Sequence, residues 1–267
     1  DMHRALAQLT EVPREMPLIV DGLAFGALEP EAVARIAAPL FALVHHPLAE
    51  ESGLPEHDRQ RLLRSETETL KAARHVLVPS PHTAELLCTK YDVSKGRITV
   101  ARPGTDRPAQ GAPATPPTTP PATPPLILAV GIQAPRKGHD VLLHALSRIA
   151  GLDWRAVIVG APLDPRFAAE LRALAQRLGL QDRVTLAGEV SQEALEAYYA
   201  RASVFALATR YEGYGIVFDE ALMHGLPIVT CATGAVPQTV PQGAGLLTPP
   251  DAPGAFAHAL RRMLTEP

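Results

Sequence analysis

Short apolar runs, often β-branched, recur along the chain and alternate with longer stretches whose apolar positions fall three and four apart. The strand-like runs are Pro17–Gly22, which ends in a turn after Asp21, Leu40–Val44, His75–Pro79, Arg97–Val100, Leu126–Gly131, Trp154–Gly160, Arg183–Gly188, Ser203–Ala208, Leu226–Thr230 and Gly245–Thr248. Between them the pattern predicts helices. A short one falls within residues 1–16, and a second opens at Glu29. Arg59–Ala73 places Leu62, Leu63, Leu70 and Ala73 on one side. Ser80-Pro81 reads as an N-cap followed by Pro at the first helical position, opening a helix to about Tyr91. In the second half, Lys137-Gly138 heads a helix with Val141, Leu142, Ala145, Leu146 and Ile149 on one face. Helices follow over Asp164–Leu178, stopped by Gly179, over Ser191–Arg201, over Gly215–His224, closed by Gly225, and from Pro253 onward. Thr233-Gly234-Ala235 reads as a loop. Strand alternating with helix implies parallel βαβ units, and the second half reads as a six-strand doubly wound domain.

Between the halves the pattern disappears. Nine of the 23 residues from Pro103 to Pro125 are proline, interleaved with Thr and Ala. Such a segment supplies no core and reads as a semi-extended linker. The expected organisation is therefore a first domain at 1–107, a linker at 108–125 and a second domain at 126–267. A chain of 267 residues with 46 % apolar content has ample core material for this. The net charge of −3 shows none of the basic excess expected of a nucleic-acid binder. Cys88 and Cys231 are far apart and lack metal-type spacing, which favours a reducing, cytoplasmic setting. No apolar run approaches the ~20 residues needed to span a bilayer.

Three places carry candidate chemistry. The first is Arg210-Tyr-Glu-Gly-Tyr-Gly-Ile-Val-Phe-Asp-Glu-Ala-Leu-Met-His-Gly225, held between two strand-like runs. Gly213 and Gly215 allow close backbone approach, and the following helix start offers N–H groups to an anion. Glu212 in the turn and Glu220 a little deeper would hold the hydroxyls of a sugar and of a ribose. The same residues would equally fit a strand–loop–helix unit with solvated acids. The second place is Arg136-Lys137-Gly138, a point charge beside a bidentate fork, suited to a diphosphate but also common on surfaces. The third is His45-His46-Pro47 at the end of a strand, where ligands sit in open α/β sheets; exposed or structural histidines read the same way.

The signature around Glu212 and Glu220, continuing into His224-Gly-Leu-Pro-Ile-Val229, closely resembles that of glycosyltransferase family 4, the retaining GT-B enzymes that use nucleotide-activated sugars. VGIQAPRKGHDVLL (130–143) resembles that family's phosphate-binding segment, and the resemblance assigns Lys137 to the diphosphate, with Arg136 as the second charge because Ile132 stands where many members place an Arg. It also assigns Glu220 to the ribose, and Gly188, Glu189 and Val190 to the base. Glu212 would lie close to the transferred sugar, with Gly213, Tyr214, Gly215 and Ile216 offering backbone N–H groups. For Tyr214, packing over the helix start is an equal alternative. Upstream, LVHHPL (43–48) resembles the strand end whose histidine faces the donor sugar, here His45 or His46, while VLVPSPHTAELL (76–87) and ITVARPGTD (98–106) resemble the last elements before the linker. Gln238 stands where members carry Glu, and the chain contains no Gly-Gly of the kind found in the family's first loop.

The resemblance thus implies two Rossmann-like doubly wound domains of GT-B type, the first incomplete. It implies a retaining hexosyltransferase that takes a UDP- or GDP-sugar and acts on a glycan, lipid or small-molecule hydroxyl, with no required metal and no nucleic-acid partner. Same-face attack, helped by the leaving phosphate, is the implied mechanism. Cytoplasmic residence at the inner face of a membrane, peripheral membrane association and homodimer formation are compatible with it. A nucleotide-sugar binder without transferase activity, or a nucleotide-sugar epimerase or hydrolase, would share much of the layout. Since relatives begin with additional βαβ units, the expectation is a fragment or truncated homologue whose first half is the less stable part, or one that dimerises to cover a bare sheet edge. Hydrogen exchange should then find protection concentrated after Leu126, with residues 1–105 exchanging faster; uniform protection in a monomer would count against it.

Overall fold

The computed structural model describes residues 2–105 and 122–266, so most of the expected linker lies outside the described residues. The chain divides into two compact units, Asp1–Pro103 and Gly104–Pro267.

In the first unit, α1 (Met2–Thr10) precedes β1 (Leu18–Asp21), α2 (Gly22–Ala27), α3 (Pro30–Val33), β2 (Leu40–Leu43), α4 (Glu56–Ala72), β3 (His75–Val78), α5 (Pro81–Lys90) and β4 (Ile98–Val100). The strands form one parallel sheet in chain order. Ser80 caps α5 as expected, accepting from the Thr83 N–H. Two local expectations needed adjusting. A turn was expected after Asp21, but its carboxylate accepts from the Leu23 N–H and starts α2, which buries Phe25 in the core. The long helix also begins a turn before Arg59, at Glu56, with acidic residues in its first turn where they favour the helix dipole. β1 and β4 are the sheet edges, and around β1 the side chains of Met16, Ile19 and Leu23 are exposed, Ile19 at 64 %.

The second unit contains β5 (Leu126–Val130), α6 (His139–Arg148), β6 (Arg155–Val159), α7 (Pro165–Arg177), β7 (Val184–Gly188), α8 (Gln192–Arg201), β8 (Val204–Leu207), α9 (Ile216–Met223), β9 (Ile228–Cys231), α10 (Val236–Thr239), β10 (Gly245–Thr248) and α11 (Pro253–Thr265). The six strands are parallel, in the order β10-β9-β8-β5-β6-β7. Alternating strand residues bury opposite faces. Ile127, Ala156, Ile158, Val204 and Ala206 pack with α6, α7 and α11, whereas Leu128, Val157, Val159, Phe205 and Leu207 pack with α8, α9 and α10. Coverage on both faces explains why these runs are continuously apolar rather than alternating. The loop expected at 233–235 runs directly into the single turn of α10.

The chain lays β5, β6 and β7 outward in one direction and then returns to place β8 on the other side of β5. Loops leaving β5 and β8 diverge there, opening a crevice at the strand ends where ligands bind in doubly wound folds. Gly138 closes the β5 loop in the left-handed region, at φ 63°, against β8's end. A Cβ there would overlap the Ala208 carbonyl oxygen. Gly138→Ala should therefore cost about 2–4 kcal/mol, adding backbone strain to a clash. Gly179→Ala, also at positive φ but with open space around it, should cost only ~1 kcal/mol. Equal losses in urea titrations would show that Gly138 is needed for its dihedral angle alone.

Candidate functional site

Lys137 sits not on α6 itself but in a 3-10 turn, Pro135–Lys137, that Gly138 joins to the helix. That turn aims its side chain into the crevice. Glu212 arrives from the other side, on the loop after β8, and is 4 % exposed. Its Oε1 receives the Lys137 ammonium at 2.7 Å and the Thr209 hydroxyl at 2.9 Å, and Arg136 Nη1 lies 3.7 Å from Oε2. Arg136 also donates to the Tyr211 carbonyl at 3.2 Å, and its own carbonyl accepts from the Arg210 N–H and lies 3.1 Å from Thr209 Oγ1. The two predicted charged groups therefore neutralise each other, and Arg136 supplies the remaining positive charge. A buried carboxylate without such partners would be strongly destabilising.

Further struts hold this arrangement. Arg210 grips Asp140 with both arms, at 3.0 and 2.8 Å, and also reaches Asp251 at 2.7 Å. Although burial opposes ionisation, the Arg210 fork holds the Asp140 carboxyl below its usual range. Ala235 N–H donates to the Glu212 carbonyl at 2.8 Å, and Thr239 Oγ1 to the Tyr214 carbonyl at 2.7 Å. The Tyr214 hydroxyl donates to Asp219 Oδ2 at 2.6 Å, so its ring is tied to the first turn of α9. Gly215 is the N-cap of α9 at φ 87°, where a Cβ would come 2.6 Å from the Phe218 ring. Among the described residues no side chain caps this helix, and a helix start without a cap offers N–H groups to an anion; Ile216 beside it is exposed.

Glu220, one turn further along α9, faces a cleft of about 490 Å³ lined also by Gln192, Leu195, Glu196, Tyr199 and His224. Tyr199 donates its hydroxyl to Glu220 Oε2 at 2.7 Å. Nothing in the sequence pattern pointed to Tyr199, Thr209, Asp140 or Arg210: their partners are remote in sequence or unremarkable polar residues, and neither periodicity nor spacing records such pairings. At the end of β7, Gly188 adopts φ 69° and its carbonyl accepts from the Gly160 N–H, Glu189 is exposed, and Val190 packs against the α8–α9 side of the core.

His45 and His46 lie in the first unit, just beyond β2. His45 Nε2 is 3.6 Å from Asp21 at the end of β1, and His46 Nε2 is 3.6 Å from Glu51. Their loop is anchored by Glu66 of α4, which is buried and accepts from the Leu48 and Ala49 N–H groups at 2.6 and 2.9 Å. Burial pushes the Glu66 carboxyl above its usual range, against the pull of those amides.

The family model for glycosyl transferases group 1 matches residues 124–266. The D-inositol 3-phosphate glycosyltransferase of Mycobacterium sp. (strain KMS) is 31 % identical over 242 residues, covering 86 % of this chain and 55 % of that protein. The chain belongs to the group 1 glycosyltransferases. The counterpart from Acidothermus cellulolyticus gives a similar picture, at 31 % identity over 87 % of this chain and 57 % of its own length. This group 1 chain thus spans about half the length of the curated relatives it matches. Among solved structures, sucrose-phosphate synthase from Thermosynechococcus elongatus aligns with TM-score 0.76 and 26 % identity, over 94 % of this chain and 64 % of that one. Anabaena HepE in complex with UDP-glucose aligns with TM-score 0.79 at 20 % identity, over 99 % of this chain and 72 % of that one. The fold of this group 1 glycosyltransferase is accordingly of the GT-B class, α/β with two parallel sheets.

Inside the crevice, His139 is completely buried and its Nε2 lies 3.1 Å from both the Gly131 and Ile132 carbonyls, so Nε2 carries the proton. Burial pushes its pKa down to about 4, since the ring would have to charge away from water; the Lys137 ammonium adds to this. The unfolded ring titrates near 6.5, so between about pH 6.5 and 4 the unfolded chain takes up a proton that the fold excludes. Stability should fall by about 3 kcal/mol across that window. His139→Gln, which keeps a donor for the two carbonyls, should flatten the pH dependence of urea unfolding. Parallel curves for the two proteins would show that His139 does not carry the effect.

Proposed function

We propose that the second unit is the donor half of a retaining hexosyltransferase, moving a sugar from a UDP- or GDP-sugar to a hydroxyl on a glycan, lipid or small-molecule acceptor. The observation that carries this reading is the convergence of Lys137, Arg136, Glu212 and the uncapped start of α9 at the strand switch, beside the cleft that holds Glu220. That the Anabaena neighbour was solved with UDP-glucose supports a nucleotide-sugar donor.

In this reading the diphosphate lies against Lys137, Arg136 and the first amides of α9. Glu212 already balances Lys137, so Arg136 and the helix start provide the net attraction. As the bond from the sugar's anomeric carbon to the diphosphate breaks, negative charge gathers on the leaving phosphate. Donors fixed in place before the reaction stabilise that charge without having to reorganise. The departing phosphate takes the acceptor's proton as its oxygen attacks from the same face. No resident metal is needed in this scheme. Glu212 faces the transferred sugar, with Gly213, Tyr214, Gly215 and Ile216 lending backbone N–H groups; Glu220 takes the ribose; and Gly188, Glu189 and Val190 border the base. Acceptor recognition falls to the first unit, and the resemblance makes His45 or His46 the residue that faces the donor sugar.

A panel of UDP- and GDP-sugars read by thermal shift should raise the melting point with at least one of them, and silence across the panel would sink the reading. Lys137→Ala should weaken binding of the nucleoside diphosphate by about tenfold or more while barely changing that of the bare nucleoside. Equal losses for the two ligands would mean general damage rather than a lost phosphate contact.

A further inference from the structure

Tyr199 of α8 is 3 % exposed, yet it lines the cleft that holds Glu220. Its ring stacks on Phe205 of β8, with centroids 6.1 Å apart and planes at 17°, and on His224 just past α9, at 5.1 Å and 8°. A tyrosine has only two side-chain torsions, so packing of this kind leaves its hydroxyl a fixed point in space. From there it donates to Glu220 Oε2 at 2.7 Å, within the range for a hydroxyl bonded to an ionised oxygen. Burial and the neighbouring Glu220 charge hold the phenol protonated far beyond its usual range, so it remains a donor at any physiological pH.

Core packing alone does not need that hydroxyl; a phenylalanine would stack equally well. What the hydroxyl does is remove the freedom of the carboxylate. The terminal torsion of a glutamate is broad and roughly two-fold, so a carboxylate on a helix facing a cleft otherwise turns freely. Among the described residues, the bond from Tyr199 is the contact that fixes one oxygen of Glu220. A carboxylate accepts at about four lone-pair sites, so pinning Oε2 leaves Oε1 and the rest of Oε2 aimed at the cleft in a set plane. Two adjacent hydroxyls on a five-membered ring are a rigid pair of donors, and a carboxylate held in the right plane receives both.

We propose that Tyr199 is a positioning residue that sets the plane of the Glu220 carboxylate and thereby the preference of the cleft for a ribose with both its 2′ and 3′ hydroxyls free. The proposal rests on the reading of Glu220 as the ribose ligand. It predicts selectivity rather than affinity at large. Binding of UDP, GDP and ADP should be measured by calorimetry beside their 2′,3′-dideoxy counterparts, for the full chain and for Tyr199→Phe and Glu220→Gln, with ligand-free melting points as a control on the fold.

For whichever diphosphate binds best, the unaltered chain should favour the ribose form by about tenfold or more. Glu220→Gln should lose most of that preference. Tyr199→Phe should lose about three- to tenfold of it, through weaker ribose binding, with dideoxy binding and melting point nearly unchanged. If Glu220→Gln erases the preference while Tyr199→Phe keeps it whole, Glu220 stands as the ribose ligand and the positioning role is overturned. If Tyr199→Phe weakens both forms equally, the tyrosine acts only through packing, and the proposal also fails. If the unaltered chain shows no preference, binds no diphosphate, or keeps its preference without Glu220, the ribose reading itself falls and takes this proposal with it.

Discussion

The second unit depends on one buried ion pair. The Glu212 carboxylate is fixed by Lys137 and Thr209, with Arg136 close by, and through them it joins the loop after β5 to the loop after β8. Those strands are neighbours in the sheet though nearly 80 residues apart in the chain, and loops that leave at a strand switch have no regular secondary structure to bind them together. Removing one partner of a buried pair of this kind costs roughly 3–5 kcal/mol, because the other charge stays buried without compensation. The Arg210 clamp on Asp140 and Asp251 repeats the connection at the outer edge of the crevice. Gly138 and Gly215 then permit the close approaches that the pairing requires.

The first unit uses the same device with different chemistry. Glu66 and Glu212 are the two buried carboxylates among the described residues, and each secures a segment that follows the carboxyl end of a strand. Glu212 is neutralised by side-chain charges, which also holds Lys137 and Arg136 in place. Glu66 is satisfied by two backbone amides and braces the turn behind His45 and His46, leaving both histidines to make their own pairings with Asp21 and Glu51. A carboxylate received by amides sets a backbone path; one received by a lysine and an arginine sets a charge distribution.

Charge balance at the crevice gives the donor reading its physical form. On that reading, with Lys137 paired, attraction for a diphosphate would rest on Arg136 and the start of α9, a modest and directional field. Such a field would suit a site that, on the same reading, must also release a nucleoside diphosphate more negative than its donor. Tyr199, Glu220 and His224 build a second and stiffer wall of the same cleft, in which aromatic stacking rather than ion pairing provides the rigidity. On the donor reading, the phosphates would meet the 3-10 turn before α6 and the start of α9, and the ribose the cleft-facing side of α9 one turn further on.

The strands, the helices and their parallel order were legible in the residues, because continuous apolar runs and three-to-four spacing report burial on a sheet or a helix face directly. Ser80, Ser191 and Gly225 marked helix ends for equally local reasons. The candidate groups Arg136, Lys137, Glu212 and Glu220 were also visible, through the resemblance of the segments that carry them. Local pattern failed where a short segment had two options. Asp21 starts a helix rather than a turn because its carboxylate finds the Leu23 amide and Phe25 finds the core, and Lys137 occupies a separate 3-10 turn because Gly138 bends left-handed against Ala208. Tertiary structure alone decided that Lys137 and Glu212 meet, that Tyr199 fixes Glu220, that Arg210 reaches Asp140 across 70 residues, and that Glu66 faces inward. Each is a polar pairing between distant residues whose energy depends on direction and distance, quantities that a linear pattern of apolar and polar positions does not contain.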